Sequence, residues 1–134
     1  MGEMSTTEKA GTKRTKQLVY ISHPSGGKPE NTEKIANIVR KLYADDELFK
    51  QYCFVSPVHC YGFMYSEYES DYIKGLTFCT DLLEHCDIML LCGDWKNSRG
   101  CTREREICIE KNIPFVEVPD DKALNKIIES HSII

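Results

Sequence analysis

Excess positive charge, long apolar runs and closely spaced cysteine pairs are all missing from this 134-residue chain. Its 17 Lys and Arg stand against 21 Asp and Glu, a formal charge of −4. No basic surplus is therefore available for a phosphate backbone, which argues against a nucleic-acid polymer as partner. No apolar run approaches the ~20 residues of a membrane span, and no apolar stretch follows the charged start as in a signal peptide. The expectation is a soluble, cytoplasmic protein with no membrane association. Seven cysteines are present, but no C-x-x-C pair, so a zinc site is not expected and no metal is assigned. Without a secretory signal a disulfide framework is not expected either, and the thiols read as small core hydrophobes. Cys53/Cys60, Cys79/Cys86 and Cys101/Cys108 share one spacing of about two helical turns, consistent with packing on one face.

What is present is an ordinary globular composition, 41% hydrophobic and 28% charged, in a length that fits one domain. Residues 1–16 are polar and aperiodic and read as a disordered tail, leaving 17–134 as the domain. From Leu18 onward short apolar runs alternate with helical patterns. Leu18–Ile21, Tyr52–Val55, Asp87–Cys92 and Ile113–Val118 read as strands. Asn31–Tyr43 reads as a helix capped by Asn31 or Thr32. Asp71–His85 reads as a helix with Ile73, Leu76, Leu82 and Leu83 inward, and Val58–Tyr68 as a long aromatic loop. Cys101–Lys111 and Ala123–Ile128 complete the helices. Buried strands alternating with helices imply a flavodoxin/Rossmann-like α/β three-layer sandwich with a mainly parallel sheet of four to five strands, and analogy with flavodoxin-like sheets gives the expected order 2-1-3-4. Ligands in such folds bind at the carboxyl ends of the strands. That rule selects the loops His23–Lys28, Ser56–Tyr68 and Gly93–Arg103.

Each loop carries chemistry with a plainer alternative beside it. Ser25-Gly26-Gly27 sits between strand and helix, where glycine backbone can approach an anion, or simply turn the chain. It is neither a P-loop nor a dinucleotide fingerprint. On a helix starting near Cys101, Glu104 shares a face with Cys101, Cys108 and Lys111. There it is either a carboxylate complementing the helix dipole or a nucleophile held toward the strand-end crevice. The aromatic loop and Trp95 offer stacking faces for a nucleobase, or a small satellite core. His23 and His59 at strand ends read as hydrogen-bonded structural residues.

Three segments together resemble the nucleoside 2-deoxyribosyltransferase superfamily, which includes 2'-deoxynucleoside 5'-monophosphate N-hydrolases. They are Val19-Tyr20-Ile21-Ser22-His23-Pro24, Cys86-Asp87-Ile88-Met89-Leu90, and Gly100-x-x-x-Glu104 followed by Cys108. Ser56-Pro57 and Gly93-x-Trp95-x-x-Ser98-x-Gly100 extend the likeness toward a group of short deoxyribosyltransferase-like proteins. The resemblance implies Glu104 as the nucleophile attacking C1' of the sugar and Tyr20 as its orienting partner. It also implies Ser25, Gly26, Gly27 and Ser98, with Gly100 beside them, around a 5'-phosphate. His59 and Trp95 are carried as further substrate contacts. The ligand would be a nucleoside or its 5'-monophosphate, with no organic cofactor, and the chain would form a dimer or larger homo-oligomer.

In one place the sequence departs from the family pattern. The position of a second carboxylate, which protonates the leaving base, falls on Cys79. The nearest acid is Asp81, two residues on and about 200° round a helix. Asp81, His59 or the substrate itself are then the candidates for that role. The alternatives to an enzyme are a non-catalytic nucleotide-binding module of the same fold, for which Cys79 argues, and an interaction protein with an aromatic interface.

Overall fold

The computed structural model describes residues 15–134. Most of the expected N-terminal tail, residues 1–14, lies outside the described residues. Four strands, β1 (Gln17–Ser22), β2 (Tyr52–Val55), β3 (Ile88–Cys92) and β4 (Phe115–Val118), form one sheet in the order β2-β1-β3-β4. Every neighbouring pair is parallel. The helices are α1 (Pro29–Tyr43), α2 (Asp46–Gln51), α3 (Pro57–Tyr61), α4 (Glu69–Leu83), α5 (Arg99–Lys111) and α6 (Asp121–Ser130). This is the single-domain Rossmann/flavodoxin-like sandwich that the alternation of strands and helices implies.

Period-two alternation along the central strands divides the core into two layers. Val19, Ile21, Ile88, Leu90 and Cys92 face one side, where they pack with Ile35 and Leu42 of α1 and Leu124 and Ile127 of α6. Tyr20, Met89 and Leu91 face the other, against Cys79 and Leu83 of α4 and Cys101, Ile107 and Cys108 of α5. β3 is buried along its whole length because helices cover both faces of it. At its start, Leu18 N–H donates to Asp87 Oδ2 at 2.7 Å and Asp87 N–H to the Leu18 carbonyl at 2.9 Å. Asp87 thus clips β1 to β3 at the sheet edge opposite the strand carboxyl ends. Among the described residues no helix is long and apolar enough to cross a membrane.

Several boundaries differ from the sequence reading, each for a local reason. α1 begins at Pro29, with Lys28 as an N-cap that has no side-chain bond, because proline is preset for the first helical position. Asn31 reaches back to the Ser25 carbonyl at 2.9 Å instead of capping. The short α2 is set by Asp45, whose carboxylate accepts from Leu48 N–H at 3.1 Å. The segment read as an aromatic loop opens with α3, again with proline in its first turn, and a 3₁₀ turn over Gly62–Met64. On α4 the buried positions are Gly75, Cys79 and Leu83, and Ile73 is exposed. Leu83, with Leu82 beside it, packs in the sheet layer as expected, but one and two turns earlier the inward positions are the small Cys79 and Gly75, and Ile73 points outward. Lys111 lies at the exposed end of α5, off the face that buries Cys101, Glu104 and Cys108.

None of the seven cysteines is in a disulfide. Cys79, Cys86, Cys92, Cys101 and Cys108 are buried, but Cys53 and Cys60 are exposed, which corrects their assignment to the core. Cys53 sits on the edge strand β2 and Cys60 on the short α3, where no second layer covers them. A thiol titration with a bulky aromatic disulfide should therefore show Cys53 and Cys60 reacting rapidly in the native protein, with the five buried thiols reacting only on denaturation. Fast reaction of all seven would contradict the packing described.

Candidate active site

The sheet reverses its winding between β1 and β3, and a crevice opens at the carboxyl ends of these strands. The crevice is a cavity of about 300 Å³, at the small end of the range for small-molecule sites. Its floor is Glu104, a carboxylate only 6% exposed. Glu104 stands on the inner face of α5 in register with Cys101 and Cys108, since residues three and four apart share a helix face.

Alternation on β1 supplies its partners. Tyr20 and Ser22 point to the same side of the sheet, toward α5. The Tyr20 hydroxyl donates to Glu104 Oε2, and Ser22 Oγ donates to Oε1 at 2.6 Å. Both carboxylate oxygens are thus held in one orientation. Burial pushes the Glu104 carboxyl up to about 7, while the hydrogen bonds from Ser22 and Tyr20 pull the other way. Tyr20 is itself driven well above the ordinary tyrosine value, first by burial and then by the neighbouring Glu104, so it remains a donor. Removing the Ser22 hydroxyl deletes a bond to the charged form. Ser22→Ala should raise the Glu104 pKa by about one pH unit or more, read by carbon-13 NMR of the carboxyl. No movement of that resonance's midpoint would show that Ser22 does not hold the carboxylate.

The rim of the cavity is formed from two loops. Ser25, Gly26 and Gly27 follow β1, with both glycines in left-handed backbone, φ +58 and +70. A Cβ at either position would meet nothing within 4 Å, so glycine is required there by conformation, not by space. Ser25 organises the turn: its hydroxyl accepts from Gly27 N–H at 3.3 Å and its carbonyl from Lys28 N–H at 3.0 Å. Opposite stands the N-terminus of α5, where Ser98 caps the helix by accepting from Cys101 N–H at 3.2 Å. Gly100 lies in that first turn against Leu76, where a Cβ would approach Cδ2 to 3.4 Å. The positive end of a 13-residue helix and a glycine turn thus face one opening that has no Lys or Arg in its lining.

No protein-family model matches this chain, and no curated protein matches it. The chemistry is therefore read from the site's own geometry.

Six of the expected residues meet at the cavity: Glu104 on the floor, and Ser25, Gly26, Gly27, Ser98 and Gly100 at the rim. Tyr20 lies beneath, on the hydrogen bond to Glu104. The structure does not bring the other three there. Asp81 is exposed on the outer side of α4, since two residues along a helix turn it away from the buried Cys79 face. His59 is exposed on α3, its Nδ1 2.6 Å from Ser56 Oγ, and borders not the cavity itself but an adjoining shallow depression that shares Ser25, Gly27, Val58 and Tyr65 with it. Trp95 turns back toward β4, where its indole N–H donates to Glu117 Oε1 at 3.4 Å and the Arg105 guanidinium lies 5.3 Å from its ring centroid.

Further residues join the site, Ser22 beneath the cavity and Tyr65, Tyr72 and His23 in its lining. Ser22 was legible in principle, being the next same-face residue after Tyr20. Tyr65 and Tyr72 arrive from the aromatic segment and from α4, with ring centroids 5.3 Å apart. His23 lines the cavity with its Nδ1 2.7 Å from the Pro24 carbonyl, and burial lowers its pKa, so it stands neutral. Among the described residues no group of three or more His, Cys, Asp or Glu is arranged to hold a metal.

Proposed function

We propose that this protein cleaves or transfers the N-glycosidic bond of a (deoxy)nucleoside or its 5'-monophosphate, with Glu104 as the nucleophile. The observation that carries the reading is a buried carboxylate, fixed through both oxygens by Tyr20 and Ser22, at the floor of a strand-end cavity. A carboxylate so placed attacks C1' of a sugar, and a glycosyl ester forms as the base departs. Water then hydrolyses the ester, or a second base accepts the sugar. Tyr20 and Ser22 orient the attacking oxygen lone pairs. The glycine turn and the α5 N-terminus offer backbone N–H groups and dipole to a 5'-phosphate, which suits a chain with no cationic surplus. No cofactor enters this scheme. Such a reading also belongs with the resemblance of the three sequence segments to the deoxyribosyltransferase superfamily.

A second reading, a nucleotide-binding module without chemistry, draws on one observation: Glu104 is the sole carboxylate among the cavity-lining residues. Incubation with a panel of deoxynucleosides and their 5'-monophosphates separates the two. The enzyme releases free base, detected by chromatography. The binding module is stabilised against heat by intact nucleotide and consumes none of it. A protein neither stabilised nor active with the panel would defeat both readings.

A further inference from the structure

Resting on the glycosidic reading above, we propose that Tyr65 is the catalytic proton donor to the departing base. Glycosidic cleavage ordinarily divides its work between a nucleophile and a group that protonates the leaving atom. Glu104 fills the first role, and among the described residues no second carboxylate lines the cavity. Among the protic groups on its wall, Tyr65 is the one the fold has been shaped to hold.

The shaping is visible at Gly75. This glycine lies inside α4, where alanine would be the better helix former. A Cβ at Gly75 would come within 2.7 Å of Tyr65 Cε1 and 3.2 Å of Cδ1, so the ring lies directly on the helix backbone. Tyr72 packs on the ring from one side. One turn beyond Gly75, the Cys79 thiol meets the Tyr65 hydroxyl at 3.7 Å. Cys79 lies in the same buried layer as Tyr20, whose hydroxyl bonds Glu104. Donor and nucleophile are thereby fixed in one frame. Tyr72 lines the same cavity but stacks beneath the exposed Arg99 guanidinium, 4.9 Å from its ring centroid, on the solvent side. His23 sits by the glycine turn, at the phosphate end. Burial keeps the Tyr65 phenol protonated, and its neighbour Cys79, pushed up to about 11 chiefly by burial, stays a thiol.

The step balances without a further reactant. A Glu104 oxygen bonds to C1' as the C1'–N bond breaks, and its electron pair stays with the base. The base takes the Tyr65 hydroxyl proton, leaving a phenolate. In the second half a water gives its proton back to Tyr65 and its hydroxyl to C1', which releases Glu104 as a carboxylate.

The test compares a substrate whose base needs a proton with one whose base leaves neutral: 2'-deoxyguanosine 5'-monophosphate and its 7-methyl derivative. Tyr65→Phe removes only the hydroxyl and keeps the ring seated on Gly75. We expect base release from the unmethylated substrate to fall at least ~100-fold, and from the methylated one by a few-fold at most. Gly75→Ala, which displaces the ring while leaving the phenol intact, should reproduce the same imbalance. Equal losses on both substrates, or no loss in Tyr65→Phe, would overturn the assignment of Tyr65 while the glycosidic reading stands. Wild-type protein that releases no base from any substrate would defeat that reading together with this one.

Discussion

If Glu104 is the nucleophile proposed above, Glu104→Gln should abolish base release, by at least ~10³-fold, while nucleotide binding to the cavity survives. Glutamine has the same shape and can still meet the Tyr20 and Ser22 hydroxyls, which rotate to suit. It lacks the anionic oxygen that bonds to C1'. Thermal shift with the best nucleotide of the panel should therefore remain positive in the variant. The pH dependence carries an independent signature. Only the ionised carboxylate attacks, and burial sets its pKa near 7. Wild-type kcat/KM should rise about tenfold per pH unit below that value and level above it. A flat profile between pH 5 and 8, or base release persisting in Glu104→Gln, would remove Glu104 from the role of nucleophile.

The same substitution makes the fold more stable at alkaline pH. Glu104 titrates near 4.5 when unfolded and near 7 when folded. Below pH 4.5 both states hold the proton, and the group does not oppose folding. Between these values the folded state retains a proton that the unfolded state has released, so stability falls as pH rises. Above about 7 the folded state must carry a buried charge, and the whole cost is present. The separation of the two values corresponds to roughly 3 kcal/mol. Glu104→Gln has no such cost, and its advantage over wild type should grow from near zero at pH 4 to this order at pH 8. Urea unfolding of both proteins at the two pH values reads the difference, and subtraction cancels every other titrating group. Curves that stay parallel from pH 4 to pH 8 would mean that the carboxylate is not held at a cost. A stability penalty at the floor of a cavity is what a site organised for chemistry, not for stability, would carry.

The faces on which Glu104 and Tyr20 lie could be read from local pattern because each sits in a regular element with a fixed period, while their roles came only with the family resemblance. A strand shows alternate residues to one face, and α5 shows residues three and four apart. Knowing that Val19 and Ile21 face one layer puts Tyr20 and Ser22 in the other. Ser25, Gly26 and Gly27 were legible by the combination of glycine pairs with a strand-to-helix position. Asp81, His59 and Trp95 were drawn toward the site by chemistry alone. Their directions depend on how α4 is rotated about its axis, on the unexpected turn of α3, and on the 3₁₀ turn that precedes α5. None of these leaves a strong periodic trace.

Tyr65 shows the limit most plainly. In sequence it is one aromatic among many in an irregular segment. It becomes a wall of the cavity only because Gly75, on the following helix, leaves room for its ring. The exposed Cys53 and Cys60 make the complementary point: equal spacing does not make equal burial when one member lies on an edge strand or a short surface helix.

By itself the sequence determined the alternation of strands and helices, the parallel sheet with helices on both faces and the face on which Glu104 lies, because these follow from patterns along the chain; the strand order was reached only by analogy with flavodoxin-like sheets. It also determined that the chain has no cationic surplus, so any anion at the strand ends would have to be met by backbone and helix dipole. Only the tertiary structure decided which hydroxyls grip the carboxylate, which candidate acids stay outside the cavity, and where Tyr65 comes to rest. Those contacts join residues as far as 84 positions apart, and packing between elements, not the pattern within them, brings them together.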